Sequence, residues 1–414
     1  MHSLKAESDL PGHHDVLRAR IIWDAEREER KGRSQTDRWG TDPCHTYNVA
    51  EGDDRFCHYS TTPGLWTAGA NGMTSHLVDP IADPRWSQFI ERDHRAGLFH
   101  TPGWLLALRQ TYGYEPVVVT TSPASEPLEN GVVFCRIKSW FTGSRLVSLP
   151  FSDHCEPLVN ASQDMGDFVD IATINQLRYV ELRPLDAAPA IKPKKTSFRE
   201  AETFWFHRLD LTPSLGEIFH RFHRDCVRRK IRKAERESVL CLEGNTPELL
   251  ENFYRLLLRT RRRQQLPPQP KAWFRNLAKC LADNIKIRVA YKNEQPIASI
   301  LTFSHKNKMM YKYGCSDERY HRFGGMQLLL WMAIQEAKEK NYEEFDLGRC
   351  ELANSGLQVF KDRFGARRSK LTYWRYQTNK VSSDRELQVA KKFFRLCPPS
   401  FLQVAGRSFY RHIG

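Results

Sequence analysis

The sequence predicts a mixed α/β protein of two similar units in tandem, preceded by a polar extension, and three observations carry this. Its 414 residues exceed what one hydrophobic core ordinarily serves. From Asp83 onward, segments of helical period alternate with short β-branched and aromatic runs, and the same logic repeats in the second half with stronger signals. Before about Pro80 the texture differs, with Arg, Glu, Asp, Gly, Ser and His abundant and few periodic apolar runs; this stretch reads as a mostly disordered extension.

Within residues 1–80 only Val16, Leu17, Ile21 and Ile22 cluster enough for a turn or two of helix. The first unit, residues 81–210, opens with two helices, "PRWSQFIERD" and "TPGWLLALRQTYG". In the second, Trp104, Leu105, Leu108 and Tyr112 recur at helical spacing, and Thr101 before Pro102 supplies a cap and a first-turn proline. The runs "EPVVVTTS", "NGVVFCRIKSW" and "SRLVSLPFS" follow as strands, separated by turn signals. A helix over "MGDFVDIATINQLR", a strand at "YVELRP", a Lys/Pro/Ala-rich loop and the strand "FWFHRLDL" complete the unit.

The second unit, residues 211–380, begins with "PSLGEIFHRFHRDCVRRKIRKAERESV", read as one long amphipathic helix. Ile218, Phe219, Phe222, Cys226, Val227 and Ile231 make its apolar face. Two further helices, "PELLENFYRLLLRTRRRQQL" and "PKAWFRNLAKCLADN", are separated by Pro267 and Pro268. "IKIRVAY", "QPIASILTFSH" and "KMMYKYGCS" form a meander with tight turns. "GGMQLLLWMAIQEAKEKNY" is apolar around its whole circumference and must be buried against the sheet. The strand "EEFDLG", the short helix "NSGLQVFKDRFG" closed by Gly365, and the strand "KLTYWRYQ" end the unit, and residues 381–414 form a basic tail.

Bulk properties narrow the setting. Apolar residues make up 40% and aromatics 11%, enough for two cores. No apolar run approaches the roughly 20 residues that span a bilayer, and no secretory signal opens the chain, so a cytoplasmic location is expected. Ten cysteines without a CxxC pair are expected to be reduced thiols. No Cys/His or HExxH arrangement marks a metal site, and no GxSxG elbow marks a covalent serine. A formal charge of +14 points to a polyanionic partner, whether nucleic acid, phosphorylated cofactor, anionic lipid head group or acidic glycan.

Four segments, "FHTPGWLLALRQTYG", "GSRLVSLPFSDHCEPLV", "LDLTPSLGEIFHRFHRDCVRRKIRKAERESV" and "YKYGCSDERYHRFGGMQLLLWMAIQEA" with "FDLGRCELANSGLQVFKDRFG", resemble the FemAB-like branch of the GNAT acyltransferase superfamily. The resemblance runs from about Asp83 to about Gln377 and implies two tandem GNAT-like folds with the chemistry in the second. It implies transfer of an acyl or aminoacyl group, from acyl-CoA or from an aminoacyl-tRNA, to an amine of a cell-envelope or exopolysaccharide precursor, with no metal. Peripheral contact with an anionic membrane surface would suit such a precursor and the net charge.

Acyl transfer needs a carbonyl held still, a stabilised oxyanion and a proton acceptor for the attacking amine. In "ERYHRFGGM", Gly324 and Gly325 permit a tight turn, so that the amides at Gly324, Gly325 and Met326 face phosphate oxygens and Arg322 adds a charged donor. The family's phosphate loop has a small residue where Gln327 stands, and the same glycines fit a turn that merely starts a helix. Asp346, at the end of "FDLG", suits a base or an orienter of the amine, and equally a capping carboxylate. Lys361 shares a helix face with Leu357 and Phe364, which sends one ammonium toward core or cleft; the FemAB-like pattern implies that it holds the donor's carbonyl or phosphate oxygens.

Tyr311 and Tyr313 alternate on "MMYKYG" and are expected on one strand face, with Tyr313 bonding the acyl group or packing in the core. Eight Lys or Arg between Arg221 and Arg236, and the knot at 259–263, suit anion binding, including the phosphates of tRNA. The glycine turn, Asp346 and Lys361 are expected to converge on one crevice. A non-catalytic basic nucleic-acid-binding module is the reading outside enzymes.

Overall fold

The computed structural model describes residues 75–377, apart from 140–142, 161–164, 166–167, 169–176 and 187–197, together with Tyr410. Nearly all of the expected extension with its short helix, most of the helix expected over 165–178, and the basic tail other than Tyr410 lie outside these residues.

Twelve described strands form one sheet. They are β1 (His76–Val78), β2 (Glu115–Thr120), β3 (Val132–Ile137), β4 (Arg145–Val147), β5 (Tyr179–Leu182), β6 (Arg199–Asp210), β7 (Leu240–Gly244), β8 (Ile285–Lys292), β9 (Gln295–His305), β10 (Lys308–Ser316), β11 (Glu344–Glu351) and β12 (Arg367–Gln377). Their order is β1-β2-β3-β4-β5-β12-β6-β11-β10-β9-β8-β7. The two units therefore share a sheet, because β12 returns to lie between β5 and β6. β6, which the sequence assigns to the end of the first unit, pairs with β11 and β12 of the second. β1 falls inside the stretch expected to be extension and pairs with β2.

Each half contains one parallel pair, β4 with β5 and β10 with β11. The β10–β11 ladder covers only Lys308–Met310 against Glu344–Asp346 and then stops, so the C-terminal halves of the two strands are unpaired with each other. This gap in the sheet is the feature around which the site is built.

The helices are α1 (Pro84–Arg92), α2 (Pro102–Tyr112), α3 (Leu215–Arg221), α4 (Arg229–Arg236), α5 (Pro247–Arg263), α6 (Lys271–Leu281), α7 (Gly325–Glu339) and α8 (Ser355–Asp362). Thr101 caps α2 as its sequence predicts, and Gly113 ends it at φ 70°. The single helix expected over residues 213–239 is instead α3 and α4, joined by a π-turn at Arg224–Arg228. Phe222 leaves the helix at ψ 143°, and the next amide, of His223, donates 2.8 Å to the carbonyl of Arg363. A tertiary hydrogen bond has displaced the local one, which helical periodicity alone cannot foresee.

α7 buries Leu328, Leu329, Leu330, Ala333, Ile334 and Ala337 on the side of the sheet that carries Ala290, Ile297, Ile300, Met309 and Phe345. Each buried leucine or isoleucine contributes about 2 kcal/mol, so this contact holds α7 firmly on the sheet. On the other side, Trp104 of α2 packs in one core with Trp273, Phe253 and Phe274 of α5 and α6. A Cβ on Gly103 would stand 2.5 Å from the Cys280 carbonyl, which shows how closely the helices of the two halves approach. Lys306, in the β9–β10 turn, donates to the carbonyls of Ile90 and Asp93 at the end of α1, at 2.8 and 2.7 Å.

Candidate active site

The loop after β4, residues 148–156, carries Asp153 from the first half into the gap between β10 and β11. Gly348 of β11, at φ 73°, sits where the pairing with β6 slips, and a Cβ there would stand 2.8 Å from the Asp153 Oδ2. Backbone conformation and close approach thus both require glycine. Lys312 of β10 donates to Asp153 Oδ1 at 2.7 Å, and Arg349 lies 3.6 Å from the same oxygen. Tyr373 of β12 donates to the Asp153 carbonyl at 2.6 Å. Burial would raise the carboxyl's pKa, but the Lys312 and Arg349 cations outweigh it and hold the group at about 2.

Asp346 and Lys361, both selected from sequence, come together at Gly348. Asp346 is 3% exposed; its Oδ1 accepts the Gly348 amide at 2.6 Å, and its Oδ2 lies 3.6 Å from Nε2 of His154. Lys361, 2% exposed, reaches from α8 to donate to the carbonyls of Gly348 and Arg349 at 2.8 and 2.9 Å. Burial lowers its pKa, opposed by Asp153, Cys350 and Asp346. An ammonium has three N–H donors, so these bonds leave one.

Asp153, His154, Lys312 and Arg349 were not singled out by the sequence reading. The visible signals were an Asp-His pair one residue beyond "SLPF" and one lysine inside "MMYKYG". What gives them meaning is contact across more than 150 residues of chain, from Asp153 to Lys312.

Tyr313 departs from expectation. The β9–β10 register shifts between Tyr311 and Tyr313, so alternation breaks there and the two rings lie on opposite faces of the sheet. Tyr311 packs on the α7 side, whereas Tyr313 packs against Phe253 and Phe274. Trp273 Nε1 donates to the Tyr313 hydroxyl at 2.9 Å, and burial pushes that hydroxyl's pKa up to about 12. Its hydroxyl is engaged in the core, not presented for an acyl group.

The glycine turn follows a 3-10 turn at Glu318–Phe323. Gly324, at φ 75°, starts α7; a Cβ on it would run into the Lys230 carbonyl, while one on Gly325 would meet Ile297 and Ala290 at 3.1 to 3.3 Å. Packing on α4 therefore demands glycine at 324, while β8 and β9 leave only tight room beside Gly325. Arg322 is exposed, with its guanidinium 4.9 Å from the Phe323 ring centre. Arg259 and Arg319 pair with Asp317, and Arg263 pairs with Glu318, so two arginines of the 259–263 knot anchor the turn. Among the described residues, none of the eight cations of 221–236 forms an ion pair; Arg228 contacts His220, and Arg232 lies over Phe219.

Asp346 and Lys361 come together, but the glycine turn lies apart from them. Lys361 faces β11 carbonyls and not the glycine turn, and the run Tyr311–Ser316, paired with β9 but not with β11, spans about 17 Å at strand rise. Among the described residues no group of His, Cys, Asp and Glu is arranged to hold a metal, and no helix is long and apolar enough to cross a membrane.

Residues 221–362 match the model of a family described as an acetyltransferase (GNAT) domain. Among solved structures the chain is similar in fold to FemX, at 12% identity and a TM-score of 0.59, over 78% of this chain and 100% of that one. It is also similar to L-PGS from Bacillus licheniformis, at 16% identity and a TM-score of 0.45, over 64% and 86%. A tandem GNAT protein from the clavulanic acid biosynthesis pathway matches at 8% identity and a TM-score of 0.47, over 74% and 100%. No curated protein sequence matches the chain.

Proposed function

We propose, from the match of residues 221–362 to a GNAT acetyltransferase domain, that the chain is a FemAB-like acyltransferase that passes an acyl or aminoacyl group to an amine of a cell-envelope or exopolysaccharide precursor. The observation that carries this reading is Lys361, a buried ammonium with two N–H groups on backbone carbonyls and one left to meet an oxyanion. The Gly324 amide, expected to face phosphate, instead donates 3.3 Å to the His321 carbonyl; in this reading Arg322 and the amides at Gly325 and Met326 hold phosphate oxygens of the donor, and the acyl arm lies along Tyr311–Ser316. Acyl-CoA, whose phosphates and thioester are well separated, is the donor class that suits such a separation.

The reaction is direct. The amine nitrogen attacks the donor carbonyl carbon, a C–N bond forms, and the third N–H of Lys361 meets the oxyanion. On collapse the bond from carbonyl carbon to the leaving sulfur or oxygen breaks. Oδ2 of Asp346, whose other oxygen is held by the Gly348 amide, takes the amine proton and returns it to the leaving group. Asp153, Lys312 and Arg349 shape the acceptor side, where the excess of cations suits an anionic precursor.

A second reading, with an aminoacyl-tRNA as donor, is favoured by the eight cations of 221–236, none of which forms an ion pair among the described residues. A thermal-shift screen against acyl-CoAs, charged tRNA and nucleotide sugars identifies the donor and acceptor, because a ligand of the native state raises the melting temperature. Transfer is then measured for Lys361→Ala and Asp346→Asn. Unchanged turnover in both, with the fold intact, removes the proposed roles, and loss of product on ribonuclease treatment selects the tRNA donor.

A further inference from the structure

Tyr410 sits far along the chain from either set of strands, yet it lies at the seam between the two halves. Its backbone carbonyl accepts a hydrogen bond from the Tyr114 hydroxyl of the first half. Its own hydroxyl donates 2.9 Å to the Pro267 carbonyl, between α5 and α6 of the second. Its ring meets Phe151 edge to face, with centroids 5.7 Å apart.

Phe151 holds the left-handed backbone conformation at φ 60°, which a bulky residue keeps only when its surroundings impose it. Tyr112, Trp273 and Tyr410 surround its ring at 4.8, 5.7 and 5.7 Å. Two residues further on, Asp153 enters the gap beside Gly348, and His154 faces Asp346. The path from tail to site is thus three consecutive packing steps: Tyr410 on Phe151, Phe151 on the turn of its loop, and the loop on β11.

We propose that Tyr410 is a positioning residue for the site, holding through Phe151 the loop that delivers Asp153 and His154 into the second half. The proposal rests on the site reading only for its consequence; the mechanical claim stands or falls without any substrate. Arg183, which donates to the Leu149 carbonyl at 2.5 Å, anchors the same loop independently, so loss of Tyr410 loosens the loop without releasing it.

Cys155 lies in this loop, fully buried, and burial pushes its thiol pKa well up, so alkylation requires the loop to open. Cys135 on β3 and Cys315 on β10 are equally buried and report opening of the sheet in each half. The test is peptide-resolved iodoacetamide labelling of the full-length chain, as wild type, Tyr410→Ala and Tyr410→Phe. Tyr410→Ala is expected to speed Cys155 labelling about tenfold while Cys135 and Cys315 stay within about twofold, and Tyr410→Phe, which keeps the ring, stays near wild type. Unchanged Cys155 labelling in Tyr410→Ala, equal acceleration at all three thiols, or a Tyr410→Phe protein as fast as Tyr410→Ala each overturns the proposal.

Discussion

Lys312 of β10 and Asp153 of the first half's loop form an ion pair of 2.7 Å across the join, with side chains 8% and 11% exposed. Removing one partner of such a pair strands the other's charge in a place poor in water. Lys312→Met is predicted to cost about 3 kcal/mol, and adding Asp153→Asn to recover part of it, because the stranded charge is then gone. Urea unfolding of the single and double variants measures this; a Lys312→Met protein within about 0.5 kcal/mol of wild type would show the pair to be incidental.

The same carboxyl sets an acid limit. Its folded pKa, about 2, lies below the ordinary value of 3.8, so its contribution is fully present above the ordinary value and is lost as pH falls through the folded one. Stability is predicted to drop by about 2 kcal/mol between about pH 4 and pH 2 on this account, and Asp153→Asn should flatten that limb. Melting temperature against pH, compared between the two proteins, reads the difference directly.

The second half was legible because its signals are local. The meander of β8, β9 and β10 falls where turn residues bound β-branched runs, and α7 is apolar around most of its circumference. What was not legible depends on contacts distant in sequence. The break after Phe222 answers to the Arg363 carbonyl, the slip at Lys312 places Tyr313 against Trp273, and Asp153 acquires its role from β10 and β11. Asp346 and Lys361 stood out because a polar group within an apolar pattern needs no partner to be noticed. Asp153 and His154, in a segment without period, had no pattern to interrupt.

Tyr313→Phe separates a core role from a chemical one. It leaves Trp273 Nε1 buried without an acceptor, at a predicted cost of about 1 to 2 kcal/mol, while turnover per folded molecule stays within about twofold. Calorimetry and initial rates on the same preparation check both, and a large rate loss without destabilisation would return the hydroxyl to the chemistry.

Gly324→Ala should fail for two separable reasons. Its φ of 75° costs an alanine about 1 kcal/mol, and its Cβ meets the Lys230 carbonyl, which must move. Gly325→Ala, at an ordinary φ and with only side-chain atoms at 3.1 to 3.3 Å, is predicted to be milder. Equal melting temperatures for the two variants would contradict the packing account of the turn.

The arginines near the turn divide into two groups that a salt titration can tell apart. Arg259 and Arg263 are committed to Asp317 and Glu318, so replacing them by alanine should loosen the 3-10 turn and lower stability while leaving the salt dependence of RNA binding nearly unchanged. Arg229 and Arg236 are exposed on α4 and carry charge that no described acid balances. If this surface binds tRNA, each of these two replaced by alanine removes about one phosphate contact and lowers the slope of log affinity against log salt by about 0.7 to 0.9. Filter binding of tRNA from low to moderate salt gives the slopes; an effect from Arg259 as large as that from Arg229 would mean that ion pairing, not free charge, organises the surface. No binding by the wild type at low salt would leave acyl-CoA as the donor that suits the separation along β10.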